Sequence, residues 1–157
     1  MAGLRGADIL ARALARAGVK HLFSLSGNQV MPAYDASIDA GQVIHHVRHE
    51  GAAVHMADAW ARMTGEVGIA LVTGGPGHAN AIGALYTALA SESPMVLLSG
   101  HAPLAELHKG AFQEMRQAEM AAPTVKAAFT AQSAATLGQD IARAMRHARF
   151  GRPGPVH

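Results

Sequence analysis

Three stretches carry residue types that could do chemistry. The first is Arg48-His49-Glu50-Gly51, where a single carboxylate stands between a short apolar run at 43–47 and residues at helical spacing, Ala53, Met56, Ala57 and Trp60. Such a strand-to-helix junction lies at the carboxyl edge of an open α/β sheet, where ligands bind. Taken alone, an acid in a first helical turn compensates the helix dipole. The small residues Gly51-Ala52-Ala53 leave room for something large to approach it, so the acid could instead be held against a ligand. The second stretch is Thr73-Gly74-Gly75-Pro76-Gly77-His78-Ala79-Asn80, whose glycines permit close backbone approach at a helix start. The third, Phe112-Gln113-Glu114, has no meaning by itself and reads first as surface loop.

Several familiar chemistries are excluded. The glycine loop has neither the Lys of a P-loop nor the spacing of a dinucleotide fingerprint. His49-Glu50 lacks the second His that a zincin helix needs, because position 53 is Ala and His55 falls elsewhere on the helix. No metal ligands are therefore expected, and His45, His46 and His49 read as structural. Ser26 has Ser24 where a nucleophile elbow requires Gly. Cysteine is absent, which removes thiolate chemistry and disulfides and suits a reducing, cytoplasmic setting.

The elements that must position these residues follow from periodicity. Helices are expected at 7–17, 29–40, from Glu50 to about 65, and at 79–90, 117–121 and 137–150. Strands are expected at 21–25, 43–47, 68–73, 94–99 and 124–129, with one more starting in 151–157. Residues 100–114 have no period and read as a long loop. In the first helix Ile9, Leu10, Ala13, Leu14 and Ala17 form one stripe, with Arg12 and Arg16 outside it. The Arg- and Ala-rich start at 1–18 reads as this helix and not as a transit peptide. The run at 68–73 is continuously apolar, as in a strand covered on both faces. Alternating strands and helices predict an α/β fold: a doubly wound, mainly parallel sheet with helices on both faces, in three layers.

Bulk properties agree. The 157 residues suit one domain spanning 1–157 and large enough for a real core. The formal charge is only +2 and no aromatic residues interleave with the scattered arginines, so no nucleic-acid partner is expected. No apolar run approaches transmembrane length. Because a strand is just starting at 151–157, the expectation is a domain truncated before further ones.

Together, Arg48-His49-Glu50, His55-Met56-Ala57-Asp58 and Ala61-Arg62-Met63-Thr64-Gly65 resemble the pyrimidine-binding domain of thiamine diphosphate enzymes. The acetolactate synthase, benzaldehyde lyase and 2-keto acid decarboxylase group is the nearest kind. The loop from Thr73 to Asn80, Ser93-Pro94-Met95-Val96, Ala111-Phe112-Gln113-Glu114, Pro123-Thr124-Val125-Lys126 and the Gly151-Arg152-Pro153-Gly154-Pro155-Val156 ending continue in that family's order. The resemblance implies that Glu50 is catalytic, hydrogen-bonding N1′ of the aminopyrimidine and so activating the cofactor for attack on a keto carbonyl. It places Gly27, Glu50, Pro76 and Asn80 around the cofactor, and Gln29, Phe112 and Gln113 on the substrate side. Substrates would be small 2-keto acids or 2-hydroxy ketones.

The family's diphosphate and Mg²⁺ site uses a Gly-Asp-Gly motif, and none occurs here. The resemblance therefore implies a half-site, inactive alone and completed by a diphosphate-binding domain of another subunit in a homo-oligomer. Ser26, Gly51 and Ala127-Ala128 depart from residues frequent in the family, so the substrate is not inferred. The rival expectation is a non-catalytic binding or regulatory module that kept the fold. A nucleotide-binding doubly wound domain is a third, resting on fold analogy.

Overall fold

The computed structural model describes residues 4–157. Five parallel strands, β1 (His21–Ser24), β2 (Val43–His46), β3 (Gly68–Val72), β4 (Met95–Ser99) and β5 (Pro155–Val156), form one sheet in the order β2-β1-β3-β4-β5. Among the described residues six α-helices surround it: α1 (Gly6–Arg16), α2 (Met31–Asp39), α3 (Glu50–Thr64), α4 (Pro76–Ala90), α5 (Gln117–Ala121) and α6 (Leu137–Arg149). This is the three-layer, doubly wound α/β arrangement expected from the alternating pattern. None of the helices among the described residues is long and apolar enough to cross a membrane.

Successive strand residues point to opposite faces, and both faces are buried. Phe23, Ala70, Val72, Met95 and Leu97 meet Ala53, Val54 and Ala57 of α3 and Ala81, Leu85 and Ala88 of α4. On the other side Leu22, Ile69 and Val96 meet Leu14 of α1 and Ile141, Ala144 and Ala148 of α6. Each fully buried Leu, Ile or Val contributes about 1.5–3 kcal/mol. The alanines let α3 and α4 lie close against the sheet and against each other.

The chain leaves β1 for β2 on one side, then returns across β1 to β3 on the other. The order of winding reverses there, and a crevice opens between the carboxyl ends of β1 and β3. The turns after β1 and β3 and the start of α3 all meet at that edge.

Some expectations need correction. Residues 124–129 are not a strand. They pair with β5 through one parallel bridge, Ala127 to Val156, and three backbone hydrogen bonds. The partner β5 is two residues long and begins with Pro155, which has no N–H to give, so the ladder cannot extend. Helix α4 starts at Pro76, three residues earlier than expected, because proline is preorganised for a first helical turn. The chain after β1 first makes a 3₁₀ turn, Asn28–Val30, before α2. Met56 is 39% exposed, and the buried stripe of α3 runs through Ala53, Val54, Ala57, Asp58 and Ala61 instead. In α1 the fully buried positions are Ala11 and Leu14, and Ala17 faces solvent.

Candidate active site

Glu50 is the first residue of α3 and is only 7% exposed. The backbone turns into the helix at His49, whose Nδ1 accepts a hydrogen bond from the Gly51 amide at 3.0 Å. That ring nitrogen is therefore unprotonated, and His49 is a helix cap, a structural role as expected. With the histidine occupied by the cap, the Glu50 side chain is free to turn into the sheet edge. There its Oε2 accepts a hydrogen bond from Asn80 Nδ2 at 3.0 Å. Asn80 sits one turn into α4, so the pair bridges the starts of two neighbouring helices.

The other carboxylate oxygen faces Gly77. A Cβ built on Gly77 would stand 3.1 Å from Glu50 Oε1 and 2.6 Å from Thr73 Cγ2. The missing side chain at 77 is what lets the first turn of α4 lie this close to Glu50 and Thr73. Gly27 closes the same edge from the β1 side: a Cβ there would lie 2.4 Å from Thr73 Cβ. Thr73, buried at the end of β3, thus touches the positions of both glycines, and its hydroxyl donates to Gln29 Oε1. Gln29 in turn donates from Nε2 to the Phe112 carbonyl at 3.4 Å.

The anticipated residues fall into two groups. Gly27, Glu50 and Asn80 converge around Thr73 and Gly77. Pro76 opens α4 at an exposed position, where it starts the helix. Gln29, Phe112 and Gln113 gather on the other side of the β3 turn. Phe112 is 69% exposed, so its ring is available to a ligand or a facing surface. Gln113 has φ 59°, a left-handed conformation uncommon for a side-chain-bearing residue. Its backbone carbonyl lies 2.8 Å from where a Cβ on Gly75 would be, so the 100–116 loop covers the glycine turn directly.

Two contributors were not anticipated. Thr73 carried a weak signal, a β-branched hydroxyl at the carboxyl end of a buried strand. Gln117 carried none: it lies 42 residues from Gly75, whose amide donates to its Oε1 at 3.1 Å. A further buried cluster lies next to the site. His78 Nδ1 is 2.7 Å from Ser99 Oγ, which is 3.0 Å from His157 Nε2. The serine has one proton, so it donates to one ring and accepts from the other. Burial pushes the His78 imidazole down to about 4 and that of His157 down to about 3, so both are neutral at pH 7.

A buried acid thus stands at the switch point of a parallel sheet, the edge at which ligands bind in such folds. Comparison with known proteins identifies the family. The family model described as thiamine pyrophosphate enzyme, N-terminal TPP binding domain, matches residues 4–120. The chain belongs to this family. The match spans all of the site described above, from Gly27 to Gln117. Among similar thiamine pyrophosphate enzymes is the acetolactate synthase isozyme 3 large subunit of Escherichia coli, 44% identical over 98% of this chain. The acetolactate synthase large subunit of Haemophilus influenzae is 41% identical over 99% of it. A probable acetolactate synthase large subunit of Methanocaldococcus jannaschii is 37% identical over 98%. The chain spans about a quarter of the length of these relatives, 27%, 27% and 26% respectively.

Proposed function

We propose that this domain is the pyrimidine-binding half of a thiamine diphosphate-dependent lyase or transferase acting on 2-keto acids or 2-hydroxy ketones. The observation that carries the reading is the buried Glu50 carboxyl at the carboxyl edge of the sheet, with one oxygen held by Asn80 and the other against Gly77. Glu50, Gly27 and Asn80 would hold the ring, with Pro76 setting the helix start behind it. When bound, thiamine diphosphate supplies the electron sink for breaking or making a bond beside a keto carbonyl.

The part of this chain is to hold and move one proton. Asn80 keeps the carboxyl in a single orientation, so its free oxygen can share a proton with a ring nitrogen without first reorganising. Gln29, Phe112 and Gln113, on the far side of the glycine turn, are assigned to the substrate.

The residues here do not suit the diphosphate and Mg²⁺. The sequence has no Gly-Asp-Gly, and among the described residues no group of three or more His, Asp or Glu could hold a metal ion. We therefore assign the anion and metal to a separate diphosphate-binding domain, contributed by a neighbouring subunit of an oligomer, and we expect the isolated domain to be inactive. In the assembled enzyme, Glu50→Gln should lower keto acid turnover by about a hundredfold or more while thiamine diphosphate still binds. Turnover within a factor of two of the unsubstituted enzyme would overturn the reading and favour a non-catalytic module.

A further inference from the structure

Gly75 is the residue before the first turn of α4, with φ 56° and ψ −115°. A glycine there has no side chain to cap the helix, and the third helical position, His78, is engaged with Ser99. The usual reciprocal capping pair is therefore missing. Its place is taken from a distance. Gln117 is 2% exposed and both ends of its amide are used: Oε1 accepts from the Gly75 N–H at 3.1 Å, and Nε2 donates to the Gly100 carbonyl at 2.9 Å. Gly75 follows β3 and Gly100 follows β4, and the two strands are adjacent in the sheet. One buried side chain thus ties together the exits of both strands.

We propose that Gln117 is a positioning residue for the cofactor-facing turn, acting through Gly75 on the rotation of the first turn of α4. The physical reason is geometric. Gly77 and Asn80 lie two and five residues beyond the strapped amide, and both bear on Glu50. A change in the direction in which α4 leaves Gly75 moves Gly77 and the Asn80 donor together relative to Glu50. The Gln117 amide bonds to Gly75 and Gly100 and not to Glu50, so its effect on the acid is exerted through the turn. The consequence for the cofactor rests on the functional reading above, whereas the strap itself does not.

The test uses Gln117→Leu and Gln117→Glu in the assembled enzyme, with two readouts. The first is amide exchange at Gly75 without cofactor, referenced to Ile69 inside β3. Loss of protection at Gly75 alone in Gln117→Leu is expected, and unchanged protection would overturn the strap. The second is the thiamine diphosphate dissociation constant, expected to rise about ten- to a hundredfold, the range typical of outer supporting contacts. Unchanged affinity with Gly75 deprotected would overturn the positioning role. Gln117→Glu sharpens the distinction and covers the case in which the leucine variant fails to fold. Its protonated carboxyl can donate to the Gly100 carbonyl as the amide does, and its ionised form cannot. Its affinity relative to the unsubstituted enzyme should therefore recover as pH is lowered from 8 to 5.5, which a merely space-filling role would not produce; a flat ratio overturns the proposal. Failure of the unsubstituted enzyme to bind thiamine diphosphate would instead remove the functional reading and this consequence with it, leaving Gly75 exchange to judge the strap alone.

Discussion

Two polar clusters lie at the carboxyl edge of the sheet, and they are built differently. Around Glu50 one oxygen is held by Asn80 and the other lies against Gly77. Around Ser99 two imidazoles pack edge to face, 4.6 Å between ring centres, and Ser99 and His157 line a cavity of about 340 Å³. His78 Nε2 and His157 Nδ1 are buried there without a hydrogen-bond partner. The first cluster joins a carboxyl to an amide, whereas the second holds two uncharged imidazoles that respond to acid. Burial alone does not distinguish a reactive group from a structural one. What differs here is the chemistry of the groups brought together.

The comparison can be broken most decisively at Glu50 itself, where the glutamine variant is expected to abolish nearly all turnover and leave the fold intact. Crowding the Gly77 contact comes next. Gly77→Ala would drive a methyl into Thr73, whose short, branched side chain cannot move aside, and so push α4 away from Glu50. A loss of about a hundredfold in thiamine diphosphate affinity is expected by calorimetry, with a stability cost of about 1–3 kcal/mol from overpacking. Normal affinity in that variant would mean that the ring does not sit beside Gly77. Asn80→Ala removes the hydrogen bond that orients the carboxylate and leaves the Gly77 contact in place. Turnover should fall about tenfold, in line with a hydrogen bond to a charged group, and the pH–rate profile should shift. A change in thermal midpoint without a change in that profile would reduce Asn80 to a structural residue.

The smallest effect is expected in the Ser99 cluster, and it should be confined to acid. The His78 imidazole is held near 4 in the folded protein against an ordinary 6.5, so between these values the unfolded chain binds the proton more readily. Stability should therefore be fully present above pH 6.5 and fall as the pH drops toward 4. Replacing this residue, as in His78→Gln, should flatten that part of the stability curve, measured by urea denaturation at pH 7 and pH 5, with activity at pH 7 changed little. An unchanged acid slope would show that these rings are not the buried neutral groups described here.

Much of this was legible before any coordinates. Continuous apolar runs such as 68–73 mark strands covered on both faces, and the run proves to be β3, buried along its whole length. The position of Glu50, between an apolar run and an Ala-rich helical pattern, places it at the ligand-binding edge. The glycines at 74, 75 and 77 mark a close approach, though not what approaches. The errors share a cause. Residues 124–129 have strand-like composition but are left with a two-residue partner, and a strand exists only as far as its neighbour can pair. Met56 fits a helical stripe, yet the face that α3 buries was chosen by where α4 lies.

By itself, then, the amino-acid order determined the elements, their alternation, the parallel doubly wound sheet and the acid at its edge, because these depend on periodicity and on local backbone preferences. Only the tertiary structure decided that Asn80 holds Glu50, that Thr73 needs glycines at 27 and 77, and that Gln117 ties Gly75 to Gly100. Those contacts join residues 17 to 46 positions apart or sit on the inner side of a turn. No local pattern encodes a hydrogen bond whose two partners are brought together by the winding of the sheet.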